Sequence, residues 1–304
     1  MKFWEYYKDW VATYKHGAVR PVTLKKYIQD TKHIEALEPE LEISDLNRVT
    51  YQRLINKFAE THEKQTVMDF HHHLKSCILD ALDEGLIEKN PTRKVAIKGK
   101  QPRKKKVKFL SQMESQKLIE DLDLGKEINY DWLILLILKT GLRFSEALGL
   151  TPDDFDFQNR AVSITKTWDY KGLEGGKFTP TKNQSSIRKV TFDWEIAFQF
   201  QQLIKDLPRD KPIFVIKDKI YNSTVNVILE RHCKNMKITV ITVHGLRHTH
   251  ASLLLYNGVS IASVAKRLGH ADMTTTQKTY LHIVQELENK DKNLIMSAMA
   301  GLSC

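Results

Sequence analysis

Five short motifs in the second half of the chain contain the residue types that act on a phosphodiester. They are TGLRFSE at 140–146, TKN at 181–183, HGLRH at 244–248, LGH at 268–270 and TY at 279–280. Cations hold a phosphate, an acid protonates its leaving oxygen, and a phenol attacks the phosphorus. The sequence shows no motif for a metal or a nucleotide, and this chemistry requires neither. The residues that these motifs offer for it are Arg143, Lys182, His244, Arg247, His270 and Tyr280.

Arg143 follows Gly141, where an apolar helix is predicted to end. A guanidinium at this junction can bind two phosphate oxygens, or it can pair with Glu146 one turn further on. Lys182 lies in a turn before a predicted strand, where neighbouring cations would lower its pKa and make it a better acid. Three other lysines in the same hairpin region compete with it for this role: Lys166, Lys171 and Lys177.

The histidine-rich motif combines two residues on one helix face. His244 and Arg247 are three positions apart, so both can point at one target. His248 and His250 are assigned to other faces and to structural roles. Zinc is disfavoured because the three histidines form no obvious ligand triad and no carboxylate or cysteine completes one. The consecutive histidines at 71–73 splay around a helix and are interpreted as a polar face.

The last two motifs place a histidine and a tyrosine ten residues apart. Gly269 suits the left-handed cap of a helix, so His270 is expected at a turn, free to donate a hydrogen bond to a phosphate oxygen. Tyr280 follows a polar stretch and is the candidate nucleophile. The clustered cations are expected to favour its phenolate form.

The composition indicates a polyanionic partner. The chain has 304 residues, enough for about two domains, with a net charge of +10 and a pI near 9.3. Lys and Arg release counterions from a phosphate backbone, so this excess favours nucleic acid. The cysteines, three scattered residues, fit a reducing cytoplasm rather than a disulfide framework. We find no signal segment and no apolar run near the roughly 20 residues that a membrane span needs.

The first hundred residues are predicted to form four helices that pack as a small bundle. Apolar residues recur at helical spacing over 3–14 and 24–34. The third helix is expected to begin after Thr50 as its N-cap. The fourth is expected to run over about 66–87, before Pro91.

A basic segment, residues 93–108, follows the bundle. It lacks apolar periodicity and is expected to stay extended, either as a solvated linker or along phosphates. The residues proposed to contact DNA here are Lys100, Arg103, Lys104, Lys105 and Lys106.

Beyond the linker the pattern mixes helices and strands. A helix capped by Ser111 and a buried helix ending at Gly141 precede strands at 162–164 and 187–192, which fit a hairpin or a three-stranded ribbon. Helices then resume at about 195–207, 223–234, 244–257 and 260–268, before Tyr280 and again from 284. The predicted fold class is therefore mainly α with a small antiparallel sheet (α+β).

These motifs resemble those of the tyrosine recombinases, in particular phage and conjugative-element integrases. The segment 242–252, TVHGLRHTHAS, is similar to the most diagnostic stretch of that family, and the six residues selected above match its six active-site positions in order. The resemblance implies a helical core-binding domain (1–92), the linker (93–108), a catalytic domain (109–288) and a tail (289–304) that packs on its own domain or on a neighbouring protomer.

The resemblance also implies a function. Tyr280 attacks DNA to give a 3′-phosphotyrosyl link, Arg143, Arg247 and His270 stabilise the transition state, Lys182 protonates the 5′-oxygen, and His244 assists proton movement. The implied partners are double-stranded attachment sites bound by a homo-tetramer, with a DNA-bending factor and an excision protein as further candidates. The reaction takes place on DNA in the bacterial cytoplasm and uses no cofactor.

Three alternatives stay open at this point. A type IB topoisomerase or hairpin resolvase would use the same phosphotyrosine chemistry. A catalytically inactive regulator would bind DNA only, and a nuclease would depend on a metal. Integrases of this subgroup often carry a further N-terminal domain for arm sites, whereas this sequence starts at the bundle, so it represents either a simpler recombinase or a chain without its natural N-terminus.

Overall fold

Contacts within the chain divide it into two units, residues 1–105 and residues 106–304. Aromatic and aliphatic residues at helical spacing build the first unit. The structure, a computed structural model, describes residues 1–101, 109–171, 176–217 and 219–280. The helices of the first unit are α1 (Phe3–Tyr14), α2 (Pro21–Leu37), α3 (Arg48–Ala59) and α4 (Lys64–Asp83). Their inward faces form one apolar core, so the predicted four-helix unit is confirmed.

Two predicted helix ends in this unit are wrong. The N-cap of α3 is Asn47, whose Oδ1 accepts from the backbone of Val49 and Thr50, while the Thr50 hydroxyl bonds back to the Asn47 amide. Reciprocal capping of this kind makes either residue a plausible cap in the sequence. Helix α4 ends at Asp83 because Gly85 adopts a left-handed φ of 74°, which stops the helix before Pro91.

The three consecutive histidines of α4 do splay around the helix, but they do not form one polar face. His71 is buried and its Nδ1 lies 2.9 Å from the Tyr51 hydroxyl. His73 contacts the Asp30 carboxylate at 2.6 Å, and His72 is exposed. Two of the three therefore tie α4 to its neighbours.

Part of the predicted basic linker packs on the first unit. Val95 and Ile97 lie against its apolar core, and the Lys100 amide donates to the His62 carbonyl oxygen at 2.8 Å. The Lys100 side chain is exposed. The other four residues proposed to contact DNA, Arg103, Lys104, Lys105 and Lys106, lie outside the described residues, as do the tail and the helix expected from 284. The predicted domain boundaries stay a prediction.

The second unit packs helices around two small sheets. Its helices are α5 (Gln112–Glu120), α6 (Tyr130–Thr140), α7 (Phe144–Leu148), α8 (Trp194–Ile204), α9 (Asn222–Asn235), α10 (Val243–Tyr256), α11 (Ile261–Leu268) and α12 (Met273–Thr279). Ser111 caps α5 as predicted, and α6, which is buried over most of its length, ends at Gly141. The core of the unit surrounds α6.

The strands form two antiparallel sheets. They are β1 (Phe155–Asp156), β2 (Ala161–Ile164), β3 (Lys166–Asp169), β4 (Lys177–Pro180) and β5 (Arg188–Thr191). Strand β2 lies between β1 and β5, with Val162 opposite Val190. The β3–β4 hairpin is separate and was not predicted, because its residues are partly or fully exposed and lack an apolar alternation. Within the described residues, no helix combines the length and apolarity that a membrane crossing requires.

Candidate active site

Arg247 lies at the centre of the candidate site and is held by the ends of two helices. Its Nη1 donates to the Gly141 carbonyl oxygen at the end of α6, and its Nη2 donates to the Leu268 carbonyl oxygen at the end of α11, both at 2.7 Å. The side chain is buried, and burial together with the charge of Arg143 lowers its pKa to about 9, so it stays cationic at neutral pH. The carbonyl ends of helices attract cations, which fixes this guanidinium in place.

Arg143 is the N-cap residue of α7, and its guanidinium hydrogen-bonds to two neighbouring groups. Its Nη1 donates to Glu146 Oε1 at 2.6 Å, and its Nη2 donates to the Gly269 carbonyl oxygen at 3.0 Å. The side chain is 29% exposed. Both predicted roles are therefore compatible: the ion pair with Glu146 orients Arg143, and the accessible part can bind a phosphate.

Arg188, which was not among the residues selected from the sequence, binds the carboxylate that orients Arg143. It donates to both oxygens of the buried Glu146 carboxylate, at 3.2 and 2.9 Å, and its Nε donates to the Arg267 carbonyl oxygen at 2.6 Å. Burial alone would raise the pKa of Glu146, but the hydrogen bond and charge of Arg188, with Arg143, outweigh it and lower the pKa. A strand arginine carries no motif signal, so only the tertiary contact identifies it.

His270 lies next to the arginines, directly after the helix that ends at Gly269. Gly269 has a φ of 66°, a backbone conformation that favours glycine, and an added Cβ would also crowd Arg188 Nη1 at 2.8 Å. His270 Nδ1 lies 2.7 Å from the Thr276 hydroxyl. Burial and the nearby arginines lower its pKa to about 4. A neutral imidazole whose Nδ1 accepts from Thr276 can donate a hydrogen bond through Nε2.

Tyr280 is buried immediately after α12, with 3% of its surface exposed. Its hydroxyl lies 2.9 Å from His248 Nδ1. Burial raises its pKa to about 12, and the opposing effect of Arg247 is smaller. The prediction that clustered cations favour the phenolate is therefore wrong for this conformation, because desolvation of the phenolate dominates.

His248 lies on the same face of α10 as His244, contrary to the sequence prediction. Residues four apart on a helix are neighbours, and the two imidazole centroids are 4.7 Å apart. The Nδ1 atom of His248 lies within hydrogen-bond distance of the Tyr280 hydroxyl. His250 does point elsewhere: its Nδ1 lies 2.9 Å from the Leu138 carbonyl oxygen, and its Nε2 accepts from Arg267 Nε at 2.8 Å.

Lys182 lies in the exposed segment between β4 and the 3₁₀ turn Gln184–Ser186. Ser186, at the end of that turn, contacts Arg143 Nη1 at 3.4 Å, so the segment adjoins the arginine cluster. Of the competing lysines, Lys166 is engaged by Asp154 at 2.5 Å. Lys171 lies over the Tyr170 ring, and Lys177 is opposite Asp169 in the register of β3 and β4.

The structure thus brings Arg143, Arg247 and His270 together and places Tyr280 near Arg247. The His244 ring lies against that of His248, and the chain segment that contains Lys182 adjoins Arg143. Across the described ranges, no group of three or more His, Cys, Asp or Glu side chains could hold a metal ion.

Comparison with known proteins places the catalytic unit in a family. Residues 108–286 match the Phage integrase family. The chain belongs to this family. That membership confirms the predicted resemblance.

Two relatives and one solved structure define the similarity further. The integrase of Staphylococcus phage L54a is 31% identical over 176 residues, which cover 51% of this chain and 49% of that protein. The transposase from transposon Tn916 of Enterococcus faecalis is 27% identical over 302 residues, 88% of this chain and 72% of that protein. The chain thus spans about half the length of the first relative and under three quarters of the second.

The fold is also similar to that of the Tn1549 transposon integrase, solved in complex with a circular intermediate DNA. The TM-score is 0.76 at 19% identity, covering 91% of this chain and 94% of that one. This similarity confirms the predicted fold class, a helical unit followed by a mainly helical catalytic unit with small antiparallel sheets.

Proposed function

We propose that this integrase-family chain is a site-specific recombinase that integrates and excises a mobile element through a 3′-phosphotyrosyl intermediate. The observation that carries the proposal is the burial of Tyr280 near Arg247, whose guanidinium is anchored by two helix ends and lies close to that of Arg143. A phenol and two fixed guanidiniums are the groups that an in-line attack on a phosphodiester requires.

The reaction divides among the six predicted residues. The Tyr280 oxygen forms a bond to phosphorus while the bond from phosphorus to the 5′-oxygen breaks. Arg143 and Arg247 bind the non-bridging oxygens, and His270 donates to one of them through Nε2. Lys182 gives its proton to the departing 5′-oxygen, and His244 assists proton movement at the tyrosine. Religation reverses these steps and requires no nucleotide, because one phosphodiester replaces another.

The proposed partner is double-stranded DNA containing attachment sites. The net charge of +10 and the exposed Lys100 side chain favour a phosphate backbone. Each protomer supplies one tyrosine and hence one strand cut. Exchange between two duplexes cuts four strands, which is why we propose a homo-tetramer on DNA in the bacterial cytoplasm, assisted by a DNA-bending factor and an excision protein.

A nicked suicide substrate tests this function. Wild-type protein should form an SDS-stable covalent adduct with attachment-site DNA that Tyr280→Phe abolishes and that EDTA does not affect. Tyr130→Phe is the matched control, since this partly buried tyrosine of the same unit lies outside the site. No adduct would leave a DNA-binding regulator, loss with EDTA would indicate a nuclease, and supercoil relaxation without exchange between sites would indicate a topoisomerase.

A further inference from the structure

We propose that His248 is a further catalytic residue, the group that takes the proton from the Tyr280 hydroxyl during strand cleavage. The inference rests on the proposed function and reassigns within it the role given to His244. A general base must lie within hydrogen-bond reach of the proton that it removes. His248 Nδ1 meets this condition at 2.9 Å from the Tyr280 oxygen.

The helix that carries His248 is firmly held. Thr242 is the N-cap of α10, and Leu246 and Leu255 on the inner face of this helix are buried. Arg247, the next residue, bonds to the ends of α6 and α11. The proton acceptor and the phosphate-binding guanidinium therefore occupy adjacent positions of one rigid helix, which fixes the base relative to the phosphorus.

The tyrosine needs such a base. Burial keeps its pKa near 12, so the phenol carries its proton at neutral pH, and a neutral phenol is a weak nucleophile. Among the described residues, the His244 and Tyr280 rings lie against the His248 ring.

The proposed step balances. His248 in the Nε2–H tautomer accepts the Tyr280 proton at Nδ1 as the oxygen bonds to phosphorus. The 5′-oxygen leaves with a proton from Lys182, which is left neutral, while the Tyr280 proton stays on the His248 imidazolium. His244 is exposed and its ring lies against that of His248. On religation the His248 imidazolium returns the proton to the tyrosine, and Lys182 takes a proton back from the attacking 5′-hydroxyl.

The experiment distinguishes a His248 that only hydrogen-bonds to the Tyr280 hydroxyl from a His248 that also removes its proton. In His248→Asn, the amide oxygen can accept a hydrogen bond near the position of Nδ1, but it is not basic. We expect this variant to cleave the suicide substrate about 100-fold more slowly than wild type, with DNA affinity unchanged. Replacing Tyr280 with 3-fluorotyrosine in the His248→Asn variant should make its cleavage about tenfold faster, because a more acidic phenol needs less help from a base.

His244→Asn is the matched control on the same helix face, and its cleavage rate should fall less. Cleavage by His248→Asn at the wild-type rate, or a loss that fluorotyrosine does not relieve, would overturn the assignment while leaving the proposed function intact. No adduct from wild-type protein would overturn both. Should His248→Asn fail to fold, His248→Gln and fluorotyrosine in that background provide the same comparison.

Discussion

Arg188 binds both carboxylate oxygens of Glu146, at 2.9 and 3.2 Å, in a pair that is almost fully buried. The same carboxylate orients Arg143, so one buried anion positions two cations beneath the candidate phosphate site. Arg188 also reaches the Arg267 carbonyl oxygen just before the turn that holds His270. The active arrangement thus depends on residues that never need to touch the substrate.

Replacing Glu146 should therefore be costly. Glu146→Ala leaves two buried or half-buried guanidiniums uncompensated, and we expect it to lower the free energy of unfolding by about 3–5 kcal/mol. The exposed pair between Arg209 and Asp153 is the control, since Asp153→Ala should cost less than about 1 kcal/mol. Urea unfolding measures the free energy of unfolding of both variants. Equal losses would show that the buried Glu146 carboxylate contributes no more stability than an exposed ion pair.

Arg247→Lys should abolish most activity without unfolding the protein. A lysine ammonium cannot reach the Gly141 and Leu268 carbonyl oxygens together and still present a fork to phosphate. We expect covalent adduct formation to fall at least ~100-fold, whereas Lys177→Arg, an exposed hairpin substitution, should have no effect. Near wild-type cleavage by Arg247→Lys would remove Arg247 from the site.

The glycine at the end of α6 should not tolerate a side chain. Gly141 has a φ of 70°, and a Cβ there would lie 2.6 Å from His250 Cδ2. Gly258, at a φ of 80° beyond α10, has nothing within 4 Å of an added Cβ, so it isolates the cost of the backbone conformation alone. Gly141→Ala should lose more than the about 1 kcal/mol expected of Gly258→Ala. Equal losses in thermal or urea unfolding would contradict the close packing.

Stability should fall on acidification through a buried histidine. Burial and the Arg267 charge lower the pKa of His250 to about 3, below its unfolded value of 6.5. A lowered folded pKa contributes stability that is present above pH 6.5 and is lost as the pH falls toward about 3. His250→Gln should flatten the decline in unfolding free energy over this window, whereas the exposed His16→Gln should not. An unchanged slope in His250→Gln would refute the linkage.

The sequence predicted the family and most helices because those features are local. The spacing of apolar residues predicted α1 and α6, and Ser111 was correctly predicted as the N-cap of α5. The prediction of Thr50 as the N-cap of α3 is wrong because Asn47 takes that position and bonds reciprocally with Thr50, which only the structure shows.

The parts of the site that escaped prediction depend on tertiary contacts. Arg188 acquires its role only when β5 meets Glu146, and Tyr280 has a raised pKa because folding buries it. The position of His248 could have been deduced, since the fourth residue after His244 must lie on the same helix face. The sequence could not show that the hydroxyl of Tyr280, which directly follows α12, lies within hydrogen-bond distance of His248.

The identity of the nucleophile tests the account most directly. Digestion of the SDS-stable adduct, followed by mass spectrometry of the nucleotide-linked peptide, locates the covalent bond. We expect a 3′-phosphonucleotide on Tyr280. A phosphonucleotide on any other residue, in protein that recombines its DNA, would contradict it.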